Sequence, residues 1–551
     1  MIWYIDPING DNSNSGHSIE SPLKDLSLFE YKGESKPVLN HGDKIFIKRG
    51  TTLQTKNVKL YSNNFESKIR DYVYVGAYGV GDDPILTHHK ILNRKNLIKY
   101  TNNIYYVDLS DSSKTTGYVG NESNVGFIYD TNKDVIYGNR VFEMGNLESF
   151  MDFYVDSDKL YIYSEELELI PEIMALPLGN NIMTTDANTI YENLHFTLGG
   201  AHGLQTTIDG NYNIIIKNCR FDKIGGSKLS GVVRFGNGVE IYGSANDINV
   251  QNCIFEDIYD TGVTYQGENS TFKNCSFNNN VFKRCNQACE NWCDNKESGE
   301  GYINCSFNNN LCMLSGFGFG GVNRDLGHHF TLTKYNCVNT DITVKNNIFF
   351  KCKNTCYDVQ NLINTGLKFI KNKIYLYDNQ LINSSYAQNI ANYEKYINET
   401  KQDLSSKFIV LDSKCIDSPL ENIMLASDLM MNSIDNIYSN IIVNNDYTKQ
   451  NNQITKFNLE SYIVDNVKSN VVTIIDNQAF VNFKATLTSD VPAWNTFSYS
   501  NAFKGFTCTQ QYINDYVYVN IANGQLYLQA NKDLTSGTEI NISGVFTINE
   551  L

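Results

Sequence analysis

The stretch Ile214-Ile-Ile-Lys-Asn-Cys-Arg-Phe221 returns 34 residues later as Ile248-Asn-Val-Gln-Asn-Cys-Ile-Phe255. In both copies an apolar residue stands two positions before an Asn, and Phe stands three positions after it. The same pattern, with Phe sometimes replaced, occurs at Asn193/Phe196, Asn218/Phe221, Asn252/Phe255, Asn279/Phe282, Asn309/Cys312, Asn346/Phe349 and Asn372/Tyr375. Its spacing of 25 to 37 residues is typical of a solenoid or a propeller.

The spacing of apolar residues within each repeat indicates which kind of solenoid the chain forms. Apolar residues alternate with period two, as they do in β-strands, whereas helical repeats need apolar residues three and four positions apart. We therefore predict an all-β fold, a parallel β-helix whose coils stack at about 4.8 Å. The repeated Asn is predicted to form a ladder of side-chain amides at one bend of the coil.

Composition and charge argue against some classes of binding partner. The chain has 551 residues, with 45 Lys and Arg against 60 Asp and Glu, so its formal net charge is 45 − 60 = −15. The hydrophobic content of 41% is enough to build a core, and the acidic balance argues against a nucleic-acid partner. No apolar run approaches about 18 residues, so we expect no membrane insertion, and the first residues show no secretory signal pattern.

Thirteen cysteines occur in the chain, and eleven of them fall between Cys219 and Cys356. Because no export signal is visible, we expect these to be free, buried thiols that pack as small hydrophobes. The spacing of Cys285, Cys289 and Cys293 is wider than the CxxC pairs that are usual in zinc sites. We therefore expect no metal and no cofactor.

Three stretches near the N-terminus carry a family resemblance. They read Trp3-Tyr-Ile-Asp-Pro-Ile-Asn-Gly10, followed by Ser21-Pro-Leu23, then His41-Gly-Asp-Lys-Ile-Phe-Ile-Lys-Arg-Gly50 and Tyr74-Val-Gly-Ala-Tyr-Gly-Val-Gly81. The first is similar to the opening strand and cap of right-handed parallel β-helix proteins of the pectate-lyase-like superfamily, and the others to its early coils. The resemblance covers about residues 3 to 375 and implies a fold rather than a chemistry, because this fold hosts lyases, hydrolases and binding proteins.

We expect three parts along the chain. Residues 1–375 form an N-terminal cap and the β-helix, with a β insertion near 125–175. Residues 376–468 form a connecting segment with a short helix. Residues 469–551 form a separate β-sandwich head with short strands and turns such as Asn523-Gly524.

The C-terminal part carries a second resemblance. Pro492-Ala-Trp494 and Ile540-Asn-Ile-Ser-Gly544 resemble the heads of phage tail spikes, fibres and baseplate receptor-binding proteins. A β-helix followed by such a head looks like a bacteriophage tail spike. This implies a homotrimer located in the virion and extracellular after lysis, with other tail or baseplate proteins as partners and a head that serves trimerisation or receptor binding.

The same resemblance implies that the chain binds and depolymerises a host surface polysaccharide, which is a capsule, an exopolysaccharide or a teichoic acid. Two alternatives stay open. One is a non-catalytic receptor-binding spike or fibre. The other is a bacterial extracellular polysaccharide lyase or hydrolase. Among enzymes, a glycoside hydrolase is favoured over a lyase.

Candidate catalytic residues follow from the register of three coils. The segments Gly238–Tyr242, Gly262–Gln266 and Ala288–Trp292 start 24 and 26 residues apart. If their second residues point inward, then Glu240, Thr264 and Glu290 point outward in one column. Glu240 and Glu290 would lie two coils, or about 9.6 Å, apart at the backbone, close to the roughly 6.5–9.5 Å that separates the carboxyl groups of inverting glycosidases. Asp260, just before its strand, is the substitute partner.

Candidate substrate-binding residues lie around this pair. Tyr242, Gln266 and Trp292 form the next outward column, where the aromatic rings can stack on sugars. The glycines of Gly316-Phe-Gly-Phe-Gly-Gly321 are expected to leave a groove, where Arg324 would clamp an acidic sugar or a phosphate. His328 would be the general base of an elimination, and His202 borders the same face. Tight turns with satisfied polar groups are the alternative interpretation of these last segments.

Overall fold

The computed structural model describes residues 1–411 and 455–550 with gaps. Left out are 30–38, 56–57, 61–71, 186, 207–210, 296–298, 325, 334–336, 361–365, 412–454, 459, 462–463, 476–477, 493–495, 501–505, 513–516, 523–524, 531–532, 537–538, 548 and 551. The chain forms two compact units, Met1–Ser413 and Lys414–Leu551. Trp494, the turn at Asn523-Gly524 and residues 412–454 of the expected connecting segment lie outside the described residues.

Three long sheets build the first unit, and within each sheet the strand of one coil pairs in parallel with the strand of the next coil. Sheet 1 consists of Ile2–Ile5, Lys44–Lys48, Val73–Tyr78, Thr189–Glu192, Asn211–Lys217, Ala245–Gln251, Thr271–Lys273, Ser276–Asn278, Gly301–Asn308, Asn339–Lys345 and Lys368–Ile370. Sheet 2 consists of Thr52–Gln54, Ile85–Asn93, His195–Gly199, Arg220–Ile224, Ile254–Ile258, Val281–Lys283, Leu311–Ser315, Ile348–Cys352, Lys373–Tyr377 and Lys407–Leu411. Sheet 3 consists of Val58–Leu60, Met183–Thr185, Leu204–Thr206, Val239–Tyr242, Thr261–Glu268, Gln287–Asp294, Phe330–Thr333, Tyr357–Val359, Leu381–Asn383 and Tyr386–Asn389, the last pairing antiparallel. The predicted all-β parallel β-helix is confirmed.

An insertion leaves the β-helix after the sheet 2 strand Ile85–Asn93 and returns before the sheet 3 strand Met183–Thr185. Four of its strands extend sheet 2 in antiparallel fashion: Thr115–Gly117, Ile128–Asp130, Val135–Tyr137 and Ile173–Pro177. Four more form a small sheet: Ile98–Lys99, Ile104–Asp108, Phe153–Asp156 and Lys159–Tyr163. The insertion therefore begins before the expected residue 125, and it has a hydrophobic core of its own.

Helices are short in the described part of the chain. The α-helix Tyr393–Thr400 lies where a helix was expected. Single 3₁₀ turns occur at Ser27–Phe29, Arg94–Asn96, Met144–Asn146, Leu167–Leu169, Phe319–Val322 and Ile390–Asn392. Strands continue to Asn389 in sheet 3 and to Leu411 in sheet 2, so the coils extend beyond the boundary expected at residue 375.

Two antiparallel sheets make up the second unit, as the predicted β-sandwich head requires. One contains Thr455–Asn458, Val464–Ile475, Gln478–Leu487 and Glu539–Thr547. The other contains Glu460–Ser461, Thr496–Ser500, Phe506–Tyr512, Val517–Ala522, Gln525–Ala530 and Asn549–Glu550. These strands begin before the expected residue 469. The roles of this unit in trimerisation and receptor binding stay predictions.

Side chains of equivalent positions stack inside the β-helix. Phe196, Phe221, Phe255 and Phe282 form a column with ring centroids 4.7, 4.9 and 5.0 Å apart and nearly parallel planes. The cysteines between 219 and 356 are free and buried, except that Cys337 is half-buried. The prediction of packed, unpaired thiols is confirmed for them.

The repeated Asn forms the predicted amide ladder only in part, since Asn346 Nδ2 donates to Asn309 Oδ1 at 3.2 Å. Six of the seven Asn residues, all but Asn372, adopt left-handed backbone at the bend, where Asn is favoured over other residues that carry a Cβ. In the last coil Lys371 takes that position. The buried amide ladder is built mainly by the residue after the bend: the backbone N–H of Asn280 donates to Asn310 Oδ1 at 2.8 Å, and that of Asn310 donates to Asn347 Oδ1 at 2.8 Å.

Candidate active site

The predicted column of Glu240, Thr264 and Glu290 is present in sheet 3. Gln205 pairs with Glu240, Glu240 with Thr264, and Thr264 with Glu290 on successive coils. The preceding residues of these strands, Val239, Val263 and Cys289, are buried in the core as expected. Glu240 and Glu290 therefore project from the outer side of sheet 3 and are separated by two coil spacings, or about 9.6 Å at the backbone.

The second predicted column lies beside the first. Tyr242 pairs with Gln266, and Gln266 pairs with Trp292. Tyr242 is 37% exposed, and the other two are half-buried. Two aromatic rings and one amide thus border the carboxylate column on the accessible side of the sheet.

The candidate residues outside the strands all belong to one corner of the coil, the turn from sheet 2 to sheet 3. His202 and Asp260 lie in this turn on two coils, and Arg324 and His328 lie in it on a third. The hairpin formed by Ser227–Ser230 and Val233–Phe235 is an enlarged form of the same turn, and so is the insertion. Residues far apart in sequence meet here because the coils stack.

Glu240 is buried although it projects from the outer side of the sheet, since only 3% of it is exposed. Its Oε2 accepts hydrogen bonds from His202 Nε2 at 2.9 Å and from Asn237 Nδ2 at 2.9 Å. Its Oε1 accepts one from Gln205 Nε2 at 3.1 Å. The carboxylate is therefore surrounded by donors supplied by the corner of the coil and by the neighbouring strand.

Two backbone N–H groups and the Asn181 side-chain amide determine the direction of these hydrogen bonds. The N–H of Asn237 donates to His202 Nδ1 at 3.1 Å, so the ring carries its proton on Nε2 and donates it to Glu240. The N–H of Thr261 donates to Asn237 Oδ1, which leaves the Asn237 amide nitrogen for Glu240. In the same way Asn181 donates to Gln205 Oε1 at 2.6 Å, which turns the Gln205 nitrogen toward Glu240. This arrangement accommodates an ionised carboxylate.

The pKa values of Glu240 and Glu290 are shifted in opposite directions. Burial alone would raise the pKa of Glu240, but His202, Asn237 and Gln205 outweigh it, so its pKa lies below the ordinary value. Burial and the neighbouring Asp260 and Glu240 carboxylates raise the pKa of Glu290 to about 8, against the effect of Arg324. Near neutral pH Glu240 is therefore ionised and Glu290 is largely protonated.

Asp260 lies close to this pair in the turn between the two sheets. Its Oδ2 forms an ion pair with Arg324 Nη1. Burial raises the pKa of Asp260 in spite of Arg324. Arg324 thus binds a carboxylate of the protein itself, whereas we expected it to bind an acidic group of a substrate.

The two histidines and the glycine-rich loop contact other groups of the protein. His202 is hydrogen-bonded to Glu240 and lies beneath the surface, and His328 is also buried, with Nδ1 2.9 Å from Thr355 Oγ1. The glycine-rich loop serves close packing rather than an open groove: a Cβ added at Gly320 would overlap Tyr259 O, and one added at Gly318 would overlap Arg284 O. Backbone contact of this kind explains the density of glycines.

Sequence analysis missed Asn181, Gln205 and Asn237. Gln205 carried a usable signal, since Leu204-Gln-Thr206 is the strand before Val239–Tyr242 and pairs Gln205 with Glu240. Asn237 follows a hairpin that interrupts the repeat, so coil counting does not find it. Among the described residues no group of three or more His, Cys, Asp or Glu side chains is placed to hold a metal ion. No described helix is long and apolar enough to cross a membrane.

Comparisons with known proteins give distant structural likenesses. No family model and no curated protein matches the chain. Pectate lyase Pel9A matches at 14% identity over 75% of this chain and 77% of its own, with a TM-score of 0.37. The GH136 lacto-N-biosidase from Eubacterium ramulus matches at 12% identity over 74% and 68%, with a TM-score of 0.32. Dettilon tailspike protein matches at 10% identity over 93% and 88%, with a TM-score of 0.20. Likenesses of this size do not bear on activity.

Proposed function

We propose that the chain is a bacteriophage tail spike that binds a host surface polysaccharide and hydrolyses its glycosidic bonds at Glu240 and Glu290. The observation that carries this proposal is a pair of carboxyl groups in one outward column, two coils apart, whose surroundings shift their pKa values in opposite directions. Environments that separate the pKa values of two carboxyl groups are characteristic of an acid and base pair.

The roles within the pair are assigned from protonation. Glu290 is half-buried and protonated, so it donates its proton to the glycosidic oxygen as the bond to the sugar breaks. Glu240 is ionised, so it accepts a proton from the water that attacks the opposite face of the sugar. The backbone separation of about 9.6 Å leaves room for that water and favours inversion at the anomeric carbon.

The column of Tyr242, Gln266 and Trp292 supports glycan binding. Its side chains lie two residues along the same strands, about 7 Å from the carboxylate column. Aromatic rings bind the apolar faces of sugars, and an amide hydrogen-bonds hydroxyl groups. A glycan lying along the β-helix would contact both columns on several coils.

Hydrolysis is better supported than elimination. An eliminating enzyme needs a base and a cation free to act on the substrate. Here His328 is buried against Thr355, and Arg324 is paired with Asp260. The tail-spike assignment, with a homotrimer in the virion and other tail or baseplate proteins as partners, rests on the sequence resemblance. A non-catalytic spike and a bacterial polysaccharide enzyme are its alternatives.

The test is product analysis after incubation with purified host surface glycans. Mass spectrometry should show fragments that have gained one water at each cleaved bond, and NMR should show that the new reducing end is first formed with inverted configuration. Products with unsaturated ends would show that the reaction is an elimination and not a hydrolysis. Binding to a glycan without any product would show that the protein is a non-catalytic receptor-binding spike and not an enzyme.

A further inference from the structure

Four separate segments meet at the turn that carries Asp260. Phe127 of the insertion and Phe319 of the glycine-rich loop pack with Tyr259, the residue before Asp260. The Phe127 and Phe319 rings lie 4.8 Å apart, and the Tyr259 and Phe319 rings lie 5.6 Å apart. The hairpin Ser227–Phe235 completes this contact, which we call the corner joint.

Glycines bring the backbones of the corner joint into direct contact. A Cβ at Gly126 in the insertion would overlap Gly225 O, and a Cβ at Gly236 beside the hairpin would overlap Gly225 Cα. Gly225 and Gly236 also have positive φ angles of 104° and 135°, which residues with a side chain rarely adopt. The relative positions of the insertion and the hairpin are therefore closely determined.

Arg234 lies at the centre of the corner joint and is only 4% exposed. Its Nε donates to Gly226 O at 2.6 Å, its Nη1 to Gly138 O at 2.9 Å and its Nη2 to Gly126 O at 2.8 Å. Its guanidinium carbon lies 4.4 Å from the centroid of the Tyr259 ring. One side chain thus joins two parts of the insertion to the hairpin and covers the residue next to Asp260.

The backbone of Arg234 continues this connection to the candidate active site. Its carbonyl oxygen accepts a hydrogen bond from Arg324 Nη1 at 3.2 Å, and the same nitrogen pairs with Asp260. Arg234 therefore contacts the surroundings of Asp260 from two sides, through the ring of Tyr259 and through Arg324.

We infer that Arg234 is a positioning residue of the candidate active site and that the insertion is a functional part of that site. By joining the insertion to the hairpin, Arg234 sets the place of the Asp260–Arg324 ion pair beside Glu290. This inference rests on the proposed function for its effect on catalysis. The geometric part is that Arg234 keeps Arg324 paired with ionised Asp260, and this can be tested on the protein without a glycan.

The variants are Arg234→Met, Arg234→Lys and a matched control, Arg140→Met. Arg140 is a neighbouring buried arginine, 6% exposed, that donates to Val125 O and Asn124 Oδ1. No described hydrogen bond joins it to Arg324 or Asp260. Lys keeps the charge of Arg234 but cannot bind three carbonyl groups in one plane, so it separates charge from geometry.

The first readout is the thermal midpoint at pH 5 and pH 8 without any ligand. The groups that face Asp260 are Arg324, His202, Glu240 and Glu290, with Arg234 over the adjacent Tyr259. When Arg324 is displaced, the ionised form of Asp260 loses its partner. Both Arg234 variants should therefore lose more stability at pH 8 than at pH 5, whereas Arg140→Met should lose the same amount at both. If each of the three variants loses as much stability at pH 5 as at pH 8, the inference is overturned.

The second readout is cleavage of a glycan that the unmodified protein degrades. We expect kcat to fall about 10- to 100-fold in both Arg234 variants, because small misplacements in an active site cost this much, while KM changes little. Arg140→Met should keep nearly full kcat in its folded fraction. Equal kcat in the Arg234 and Arg140 variants would contradict the positioning role. If the unmodified protein degrades no glycan, the hydrolase proposal fails, and the pH comparison still decides the geometric part.

Discussion

Glu240 and Glu290 are the same residue type in the same column of one sheet, yet their surroundings give them opposite protonation. Three side-chain donors surround Glu240, and each is oriented by a further hydrogen bond. Glu290 has few donors and two neighbouring carboxylates, so it retains its proton. The chemistry of each carboxyl group is decided by what the adjacent turns place around it.

Substitution by glutamine should separate the two roles. Glu240→Gln and Glu290→Gln should each lower glycan cleavage by about 10²–10⁴, as expected for the loss of a proton-transfer group. Their effects on stability should differ. Glu240→Gln brings an amide donor against existing donors and should cost about 1–3 kcal/mol in the free energy of unfolding, whereas Glu290→Gln should cost little.

Initial cleavage rates and denaturant unfolding measure these effects. Glu268→Gln is the control, because Glu268 lies on the strand between the two glutamates, is exposed and should matter little for either quantity. Unchanged cleavage by both the Glu240 and Glu290 variants would exclude the pair, and Asp260 would become the principal candidate.

Glu290 should also make stability depend on pH. Its folded pKa of about 8 lies above its ordinary value of 4.5, so the folded state binds the proton more tightly than the unfolded state. The resulting penalty is absent below about pH 4.5, grows as the pH rises and is complete above about pH 8. Thermal midpoints of Glu290→Gln and the unmodified protein, compared from pH 5 to pH 8.5, should show the largest relative gain for the variant at high pH. A constant difference across that range would refute the assigned shift.

Within a single coil, two adjacent asparagines have different structural roles. At Asn309-Asn310 the first residue adopts the left-handed backbone of the bend. The second is buried, its Oδ1 accepts from the backbone of Asn280, and its Nδ2 donates to Phe277 O at 2.9 Å. The ladder of such amides ends at Asn372, whose Nδ2 lies 3.3 Å from Asp403 Oδ1, and burial raises the pKa of Asp403 to about 6.

The two asparagines should therefore respond differently to substitution. Asn310→Ala leaves a buried N–H and a buried carbonyl group without partners and should cost about 2–4 kcal/mol in the free energy of unfolding. The matched control is Asn309→Gly, which keeps the left-handed backbone and should change stability by less than about 1 kcal/mol. Denaturant unfolding of both variants measures the difference. Comparable losses would show that the bend, rather than the ladder, stabilises the coil.

For the molecule as a whole, the resemblance to tail spikes predicts a homotrimer. Since one chain has a mass of 62.5 kDa, light scattering at micromolar concentration should give about 3 × 62.5 = 187.5 kDa. A variant ending at Ser413 should keep the far-ultraviolet signal of the β-helix but lose trimer stability or cell binding, because the sequence resemblance predicts those roles for the second unit. A mass near that of one chain for the full protein would exclude the trimer. Full trimer stability and cell binding in the shortened variant would exclude the assigned role of the second unit.

Much of the β-helix could be predicted from the sequence because its information is local. Period-two alternation indicates which side of a strand each residue occupies, and the spacing between repeats indicates which residues pair on neighbouring coils. These two quantities were enough to place Glu240, Thr264 and Glu290 in one column, and Tyr242, Gln266 and Trp292 in the next. The cysteines were predicted separately to be free and buried, and those between 219 and 356 are buried apart from the half-buried Cys337.

The surroundings of those columns depended on the tertiary structure. The partners of Glu240 come from a neighbouring strand and from two turns of unequal length, and the joint around Arg234 combines segments about 100 residues apart. Turns of different length have no common period, so coil counting cannot say which of their side chains meet. Burial, hydrogen-bond direction and pKa arise only when these turns fold over the same face of the sheet, because each is a property of the complete set of neighbours.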